Sequence, residues 1–412
     1  MSGEPDPSIH RRLAELAQIS DEPDALARAF LSPALKRSHA LVRRWMEEAG
    51  LHVHCDAGGN LIGRREATEN AAKSKTLTVG SHLDTVRAAG SYDGALGVLA
   101  AIEVAAELAE TPLPFALEVV GFSDEEGLRY QTAYLGSRFY GGRFPAEWLE
   151  LTDAENIPLR QAAIDWGSDP ADFLEQEPRE DLLGYLELHI EQGPVLEQEH
   201  LSVGVVTAIA GQSRVALELT GAPGHAGTTP MSLRRDALAG AAEFIAEVER
   251  VGHRHPESSG LVATVGQLTV EPGASNVIPG RTEFTLDLRH PDNAVREAAL
   301  AELETAFKRI AAERRLDAVW TVRQENPAVP CDARFIEAIV AAASHEQAVV
   351  PELVSGAGHD AVALSPLCPV GMLFVTCQDG LSHHPDEFTA PEHIDVAVAV
   401  LTRAVRSLAE DI

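Results

Sequence analysis

Three times in its first half the chain runs an apolar stretch straight into a group of polar, metal-ligating side chains. The stretches are Thr76–Thr85 (TLTVGSHLDT), Ala116–Gly127 (ALEVVGFSDEEG) and Leu182–Gly193 (LLGYLELHIEQG). Each apolar run is too continuous for a strand with one wet face and matches a strand buried on both sides. Between the first two, Ala95–Glu110 predicts a helix, with Leu96, Leu99, Val104 and Leu108 among its apolar positions. Strands alternating with helices in this way predict an α/β fold with a mainly parallel sheet. Such sheets bind ligands beyond the carboxyl ends of their strands, where these polar groups lie.

Other elements fall around this plan. Helices are expected over Pro7–Ile19 and Ser38–Ala49, the second closed by Gly50, and His52–Arg65 predicts a strand pair turning through Gly58 and Gly59. From about Gly211 the rhythm changes. Strands over Arg214–Thr220, Leu261–Val270, Arg281–Arg289 and Asp317–Val322, with helices over Asp236–Val251 and Asn293–Arg314, give the order β-α-β-β-α-β. That is the split βαβ plan of a small two-layer sandwich. The expected organisation is a discontinuous large domain, residues 1–210 and 326–412, with residues 211–325 inserted into it. An alanine-rich helix to Ser344 resumes the large domain, and the acidic segment Pro145–Pro178 decorates it.

Composition narrows the partners. Of 412 residues, 45% are hydrophobic and 23% charged, an ordinary globular balance. Lys and Arg number 33 against 63 Asp and Glu, a formal charge of −30 that repels phosphate backbones and anionic membranes. No nucleic-acid or membrane partner is expected. The most apolar long stretch, Gly94–Leu108, is interrupted by Glu103 and Glu107 and does not suit a bilayer. MSGEPDPSIHRRL lacks the apolar centre of a secretory signal. Cysteines at 55, 331, 368 and 377 form no C-x-x-C pair and read as reduced thiols, so a cytoplasmic setting is expected.

The strand ends carry the chemistry. His82 is followed two residues on by Asp84, placed to accept the second imidazole N–H as a carboxylate does behind a metal-bound histidine. Asp93, in Ser91-Tyr92-Asp93-Gly94, would by itself be a helix cap. Asp124, Glu125 and Glu126 crowd together after a strand, and like charges this close repel unless a cation neutralises them. His189 stands at a third strand end, and Ser382-His383-His384-Pro385 adds further imidazoles. Two or three imidazoles and two carboxylates at one sheet edge form a mixed nitrogen and oxygen set. Such a set suits a pair of divalent ions, Zn²⁺ or Mn²⁺, with Co²⁺ and Ni²⁺ as further candidates.

With these motifs the chain resembles the aminoacylase-type metallopeptidase superfamily. Within it, the chain is similar to the branch of N-carbamoyl-L-amino-acid hydrolases, allantoate amidohydrolases and β-ureidopropionases. GSHLDT, YDGALGV, DEEGLR, ELHIEQGPVLE, GHAGTTPM, RRDAL, SNVIPG, LDLRH, SGAGHDA and SHHPDEF follow the family's order across nearly the whole chain. The resemblance implies that His82, Asp93 and His189 hold one metal ion, and that Asp93 bridges to a second completed by Glu126 and His383. Glu125 would be the general base, Asp84 the partner of His82, and His384 a neighbour of the site. It further implies that Gln212, His225, Asn276 and Arg289 bind substrate from the inserted domain, with the Gly358 backbone from the large one. His225 would also stabilise the oxyanion, and the inserted domain would act as lid and dimerisation module.

The implied reaction is metal-dependent hydrolysis of the ureido C–N bond of a small carboxylate. Tyr92-Asp93-Gly94 and Asp124–Tyr130 are more similar to the allantoate subgroup of the branch, and that resemblance implies allantoate as the substrate. N-carbamoyl-L-amino acids or N-carbamoyl-β-alanine are the alternative, and a dipeptidase or aminoacylase lies further off. Retention of Glu125 counts against a binding protein that has lost catalysis. A homodimer through residues 211–325 is expected, because a small sheet covered on one face leaves an edge strand to be paired.

Overall fold

The computed structural model describes residues 9–68, 75–254 and 260–410. The chain divides into two compact units, one up to Thr207 resuming at Cys331, the other Ala208–Pro330. The sequence put these edges at 210/211 and 325/326. The difference follows from the strand Asp317–Asn326, which stays paired with Gly211–Thr220 through Asn326 and so carries the smaller unit past residue 325.

In the larger unit four parallel strands form the centre of the sheet, in the order Ala116–Phe122, Thr76–His82, Leu182–Ile190 and Val370–Val375. The first two are buried along their whole length, as their unbroken apolar runs require. Antiparallel strands flank the centre: Leu61–Arg65 and then His52–Cys55 on one side, Val203–Ile209 on the other. The helix Ala95–Glu107 packs into the core with every residue from Ala95 to Ile102 buried, the mark of a helix with apolar residues all round. The opening helix is Ile9–Leu16; Pro7 and Ser8, like the rest of the first eight residues, lie outside the described residues. The second helix, Pro33–Glu48, begins earlier than expected because the Ser32 hydroxyl accepts the Leu35 N–H and Pro33 opens the first turn.

The acidic segment Pro145–Pro178 contributes a cluster of its own, in which Leu149, Leu159, Ala162 and Phe173 pack against Phe30, Leu135 and Phe139. All four cysteines are unpaired. Among the described residues no helix is long and apolar enough to cross a membrane.

The smaller unit holds an antiparallel sheet in the order Leu268–Glu271, Arg281–His290, Gly211–Thr220 and Asp317–Asn326. Val215, Leu217 and Leu219, with Phe284, Leu286 and Leu288, face the helices Ala237–Arg254 and Asn293–Arg314, the period-two pattern of a half-covered sheet. The strand expected over Leu261–Val270 is broken into Val262–Thr264 and Leu268–Glu271. Gly266, lying in the gap with open space around it, offers no side chain to pack there.

Candidate metal centre and active site

Register brings the chemistry to one edge of the parallel sheet. His82, the last residue of its strand, pairs with Phe122, so the acidic run from Ser123 begins beside it. His189 lies one residue before the end of the neighbouring strand, and its ring stacks 6.0 Å from that of His82. Asp93 sits in the loop entering the helix Ala95–Glu107. Gly94, at φ 65°, makes that entry, and a Cβ there would lie 2.4 Å from the His82 ring. The imidazole and the helix start can come this close only over a glycine.

The imidazoles are oriented from behind. His82 Nδ1 lies 3.0 Å from the Asp84 carbonyl and 3.4 Å from the Asp84 carboxylate, so it carries the proton and donates. His189 Nδ1 donates likewise to the Ile190 carbonyl at 2.9 Å. Both Nε2 atoms are left facing Asp93 Oδ1, at 3.4 and 3.1 Å. The other carboxylate oxygen, Oδ2, faces His383 Nε2 at 3.3 Å, and Glu126 Oε1 lies 3.2 Å from the same nitrogen. Asp93 thus stands between two groups of potential ligands, His82 with His189 on one oxygen and Glu126 with His383 on the other. Among the described residues four such groups cluster tightly enough for an ion: His82–Asp93–His189, Asp93–Glu126–His383, His82–Glu125–Glu126 and Glu187–His189–His359.

A cation fits this geometry. A neutral imidazole whose Nδ1 donates turns a lone pair on Nε2 toward a carboxylate oxygen, which is repulsive unless a proton or a metal ion lies between them. The electrostatics agree. Burial, and then the adjacent Glu126 carboxylate, pushes Glu125 well above the usual carboxylate range. Burial also opposes the ionised Asp93, yet the facing His189, His383 and His82 rings, in their protonated form, hold it well below that range. Asp93 and Glu126 together raise His383 to about 10. Positive charge placed among these groups would bring Glu125 back down into the range a general base needs.

Asp84 does more than the sequence suggested. Its Oδ1 accepts the Glu125 N–H at 3.0 Å and its Oδ2 the Glu126 N–H at 3.1 Å, so one buried carboxylate fixes both the His82 ring and the turn that carries the glutamates. Sequence reasoning missed a second support. The Glu387 carboxylate accepts the Tyr92 and Asp93 N–H groups at 2.8 and 3.0 Å and binds the Ser382 hydroxyl at 3.0 Å. Ser382 Oγ and Gln192 Nε2 lie 2.8 and 2.9 Å from Asp93 Oδ2. Glu387 and Gln192 stood inside SHHPDEF and ELHIEQG, beside residues that were singled out, as did Glu187 and His359 inside ELHIEQG and SGAGHDA. His384 points elsewhere: it is exposed, and its Nδ1 accepts the Asp386 N–H.

The smaller unit gathers its expected residues into pairs. Gln212 and Arg289 are direct partners across adjacent strands, and both donate to Asp287, Arg289 through two parallel bonds of 2.8 and 2.9 Å. The guanidinium is held in one orientation with part of its fork on Asp287. His225 lies in a two-residue strand against Val277, and the adjacent Asn276 carbonyl accepts the Ala226 N–H. His225 Nδ1 accepts the Gly227 N–H at 3.1 Å, which leaves the proton of the neutral ring on Nε2. Gly358, in the larger unit, lies near Glu125 Oε1, 3.8 Å from where a Cβ would stand.

With this centre described, comparison with known proteins is decisive. The profile of Peptidase family M20/M25/M40 matches residues 73–407. The chain belongs to this family. Within the M20/M25/M40 peptidases and their kin, it is 43% identical to the N-carbamoyl-L-amino acid amidohydrolase of Geobacillus stearothermophilus, over 98% of each chain. It is 41% identical to allantoate deiminase 2 of Glycine max, over 91% of this chain and 84% of that one. Among solved structures, an amidase of the hydantoinase/carbamoylase family from Burkholderia multivorans superposes with a TM-score of 0.90 at 36% identity, covering 97% of each chain.

Proposed function

We propose that this chain is a binuclear-metal amidohydrolase that cleaves the ureido C–N bond of a small carboxylate substrate, with allantoate the first choice. The observation that carries the reading is Asp93, whose two oxygens face separate ligand groups, His82 with His189 and Glu126 with His383. His82, His189 and Asp93 would hold one ion, and Asp93, Glu126 and His383 the other. Two divalent ions, zinc or manganese by the donor set and cobalt or nickel as further candidates, would polarise the substrate carbonyl and acidify a water.

The chain's own residues do the rest. Glu125 takes a proton from the attacking water and returns it to the leaving nitrogen as the C–N bond breaks. The carbamic acid released falls to carbon dioxide and ammonia, leaving a free amine. His225 offers Nε2–H to the tetrahedral oxyanion. Arg289, with Asn276, Gln212 and the Gly358 backbone, binds the substrate carboxylate; Asp287 fixes the guanidinium for that task. N-carbamoyl-L-amino acids are the second reading, favoured by the identity to the Geobacillus stearothermophilus enzyme. The four free thiols support a cytoplasmic setting.

The test is ammonia release from allantoate, N-carbamoyl-L-amino acids and N-carbamoyl-β-alanine. It uses protein stripped by a chelator and reconstituted with each metal separately. Loss of activity on stripping and recovery with at least one metal is expected. Cleavage of dipeptides or N-acylated amino acids with no ammonia from any ureido acid would overturn the assignment.

A further inference from the structure

Tyr134 lies ten residues beyond Asp124, in a segment that none of the motif reasoning singled out. Its backbone N–H donates to the Glu125 carbonyl at 3.3 Å, which ties it to the turn bearing the general base. Its φ of 68° and ψ of 27° are left-handed, a conformation that a bulky aromatic residue adopts only when its surroundings impose it. The side chain then runs to Gly358. A Cβ on Gly358 would stand 1.9 Å from the Tyr134 hydroxyl and 3.8 Å from Glu125 Oε1, so phenol and carboxylate flank the same small space. Among the described residues the phenolic O–H has no hydrogen-bond partner. A phenol is protonated at neutral pH, so an unpaired donor faces the place where the general base works.

We infer that Tyr134 is a substrate-contacting residue, donating a hydrogen bond to the ureido group held beside Glu125. The inference rests on the amidohydrolase reading above and adds a contact to it. Within the larger unit, Glu125 and Tyr134 together would grip the reacting group by one acceptor and one donor. The backbone strain at Tyr134 is the cost of aiming that donor. The contact also explains a glycine at 358, since any side chain there would displace the phenol.

Tyr134→Phe removes one oxygen and leaves the ring in place. On the best ureido acid of the panel, kcat/KM should fall about tenfold to a hundredfold, with two metal ions retained and the melting temperature unchanged. A merely structural role would move the melting temperature or metal content and leave kcat/KM near wild type in the folded, metal-loaded fraction. An active wild-type enzyme whose Y134F variant keeps kcat/KM within twofold overturns this inference alone. A metal-loaded wild type that hydrolyses no ureido acid overturns the amidohydrolase reading and this inference with it.

Discussion

Glu125 and Glu126 are adjacent in sequence and share His82 as a neighbour, but only Glu126 reaches the His383 imidazole. Glu126 meets the His383 imidazole, while Glu125 is buried beside the turn and the Gly358 backbone. Glu125→Gln should therefore lower turnover by about a hundredfold to ten-thousandfold while metal analysis still gives two ions per chain. A variant that loses an ion would make Glu125 a ligand. The same contrast separates the histidine pair. His383→Ala should strip an ion, whereas His384→Ala should leave metal content intact, because the His384 ring turns to Asp386 and away from Asp93. Metal-to-protein ratios after gel filtration decide between them. These residues were legible in the sequence because each stands at a strand end or in a short motif next to one. Glu387 was not: its partners Tyr92 and Asp93 lie nearly three hundred residues away, and nothing in local spacing announces such a bond.

The strands that carry the site are pinned at their far ends as well. Asp181, just ahead of the strand Leu182–Ile190, accepts the Thr76 hydroxyl at 2.8 Å and the Arg179 Nε at 2.9 Å, fastening the starts of neighbouring strands together. Burial pushes its carboxyl up, but Arg179 and Thr76 outweigh that and hold it down at about 2. A folded-state value below the unfolded one, ~3.9, gives stability that is complete above pH ~4 and lost as pH falls through about 2. Asp181→Asn should thus lower the melting temperature at pH 7, by the equivalent of about 1 kcal/mol or less for so exposed a group, and the difference should shrink as pH falls from about 4 through about 2. A gap that stays constant with pH would assign the effect to packing. At this scale the sequence was informative about type and order of elements, since the apolar period changes where strands give way to helices. The break between Thr264 and Leu268 was not foreseen, although Gly266 inside the run is the local signal for it.

In the whole molecule one edge of the smaller unit's sheet is the ten-residue strand Asp317–Asn326, which is paired on one side only, with Gly211–Thr220, among the described residues. Val319 and Val322 on it are 53% and 44% exposed. We propose that a second copy covers this region as a homodimer. Sedimentation should give twice the chain mass, and Val322→Glu should shift it toward the monomer. A fully active wild-type monomer at working concentration would overturn the dimer. The discontinuous larger unit carries a different consequence, in the order of synthesis. Val370–Val375 lies between Leu182–Ile190 and Val203–Ile209 in the finished sheet, and His383 follows it. A nascent chain that has emerged only as far as Pro330 has made four of the five proposed ligands, yet it lacks both the strand that closes the sheet and the histidine that completes the second group. On this proposal, loading of the complete centre must wait for the last part of the chain to leave the ribosome, and any truncation before that point forfeits the second ligand group.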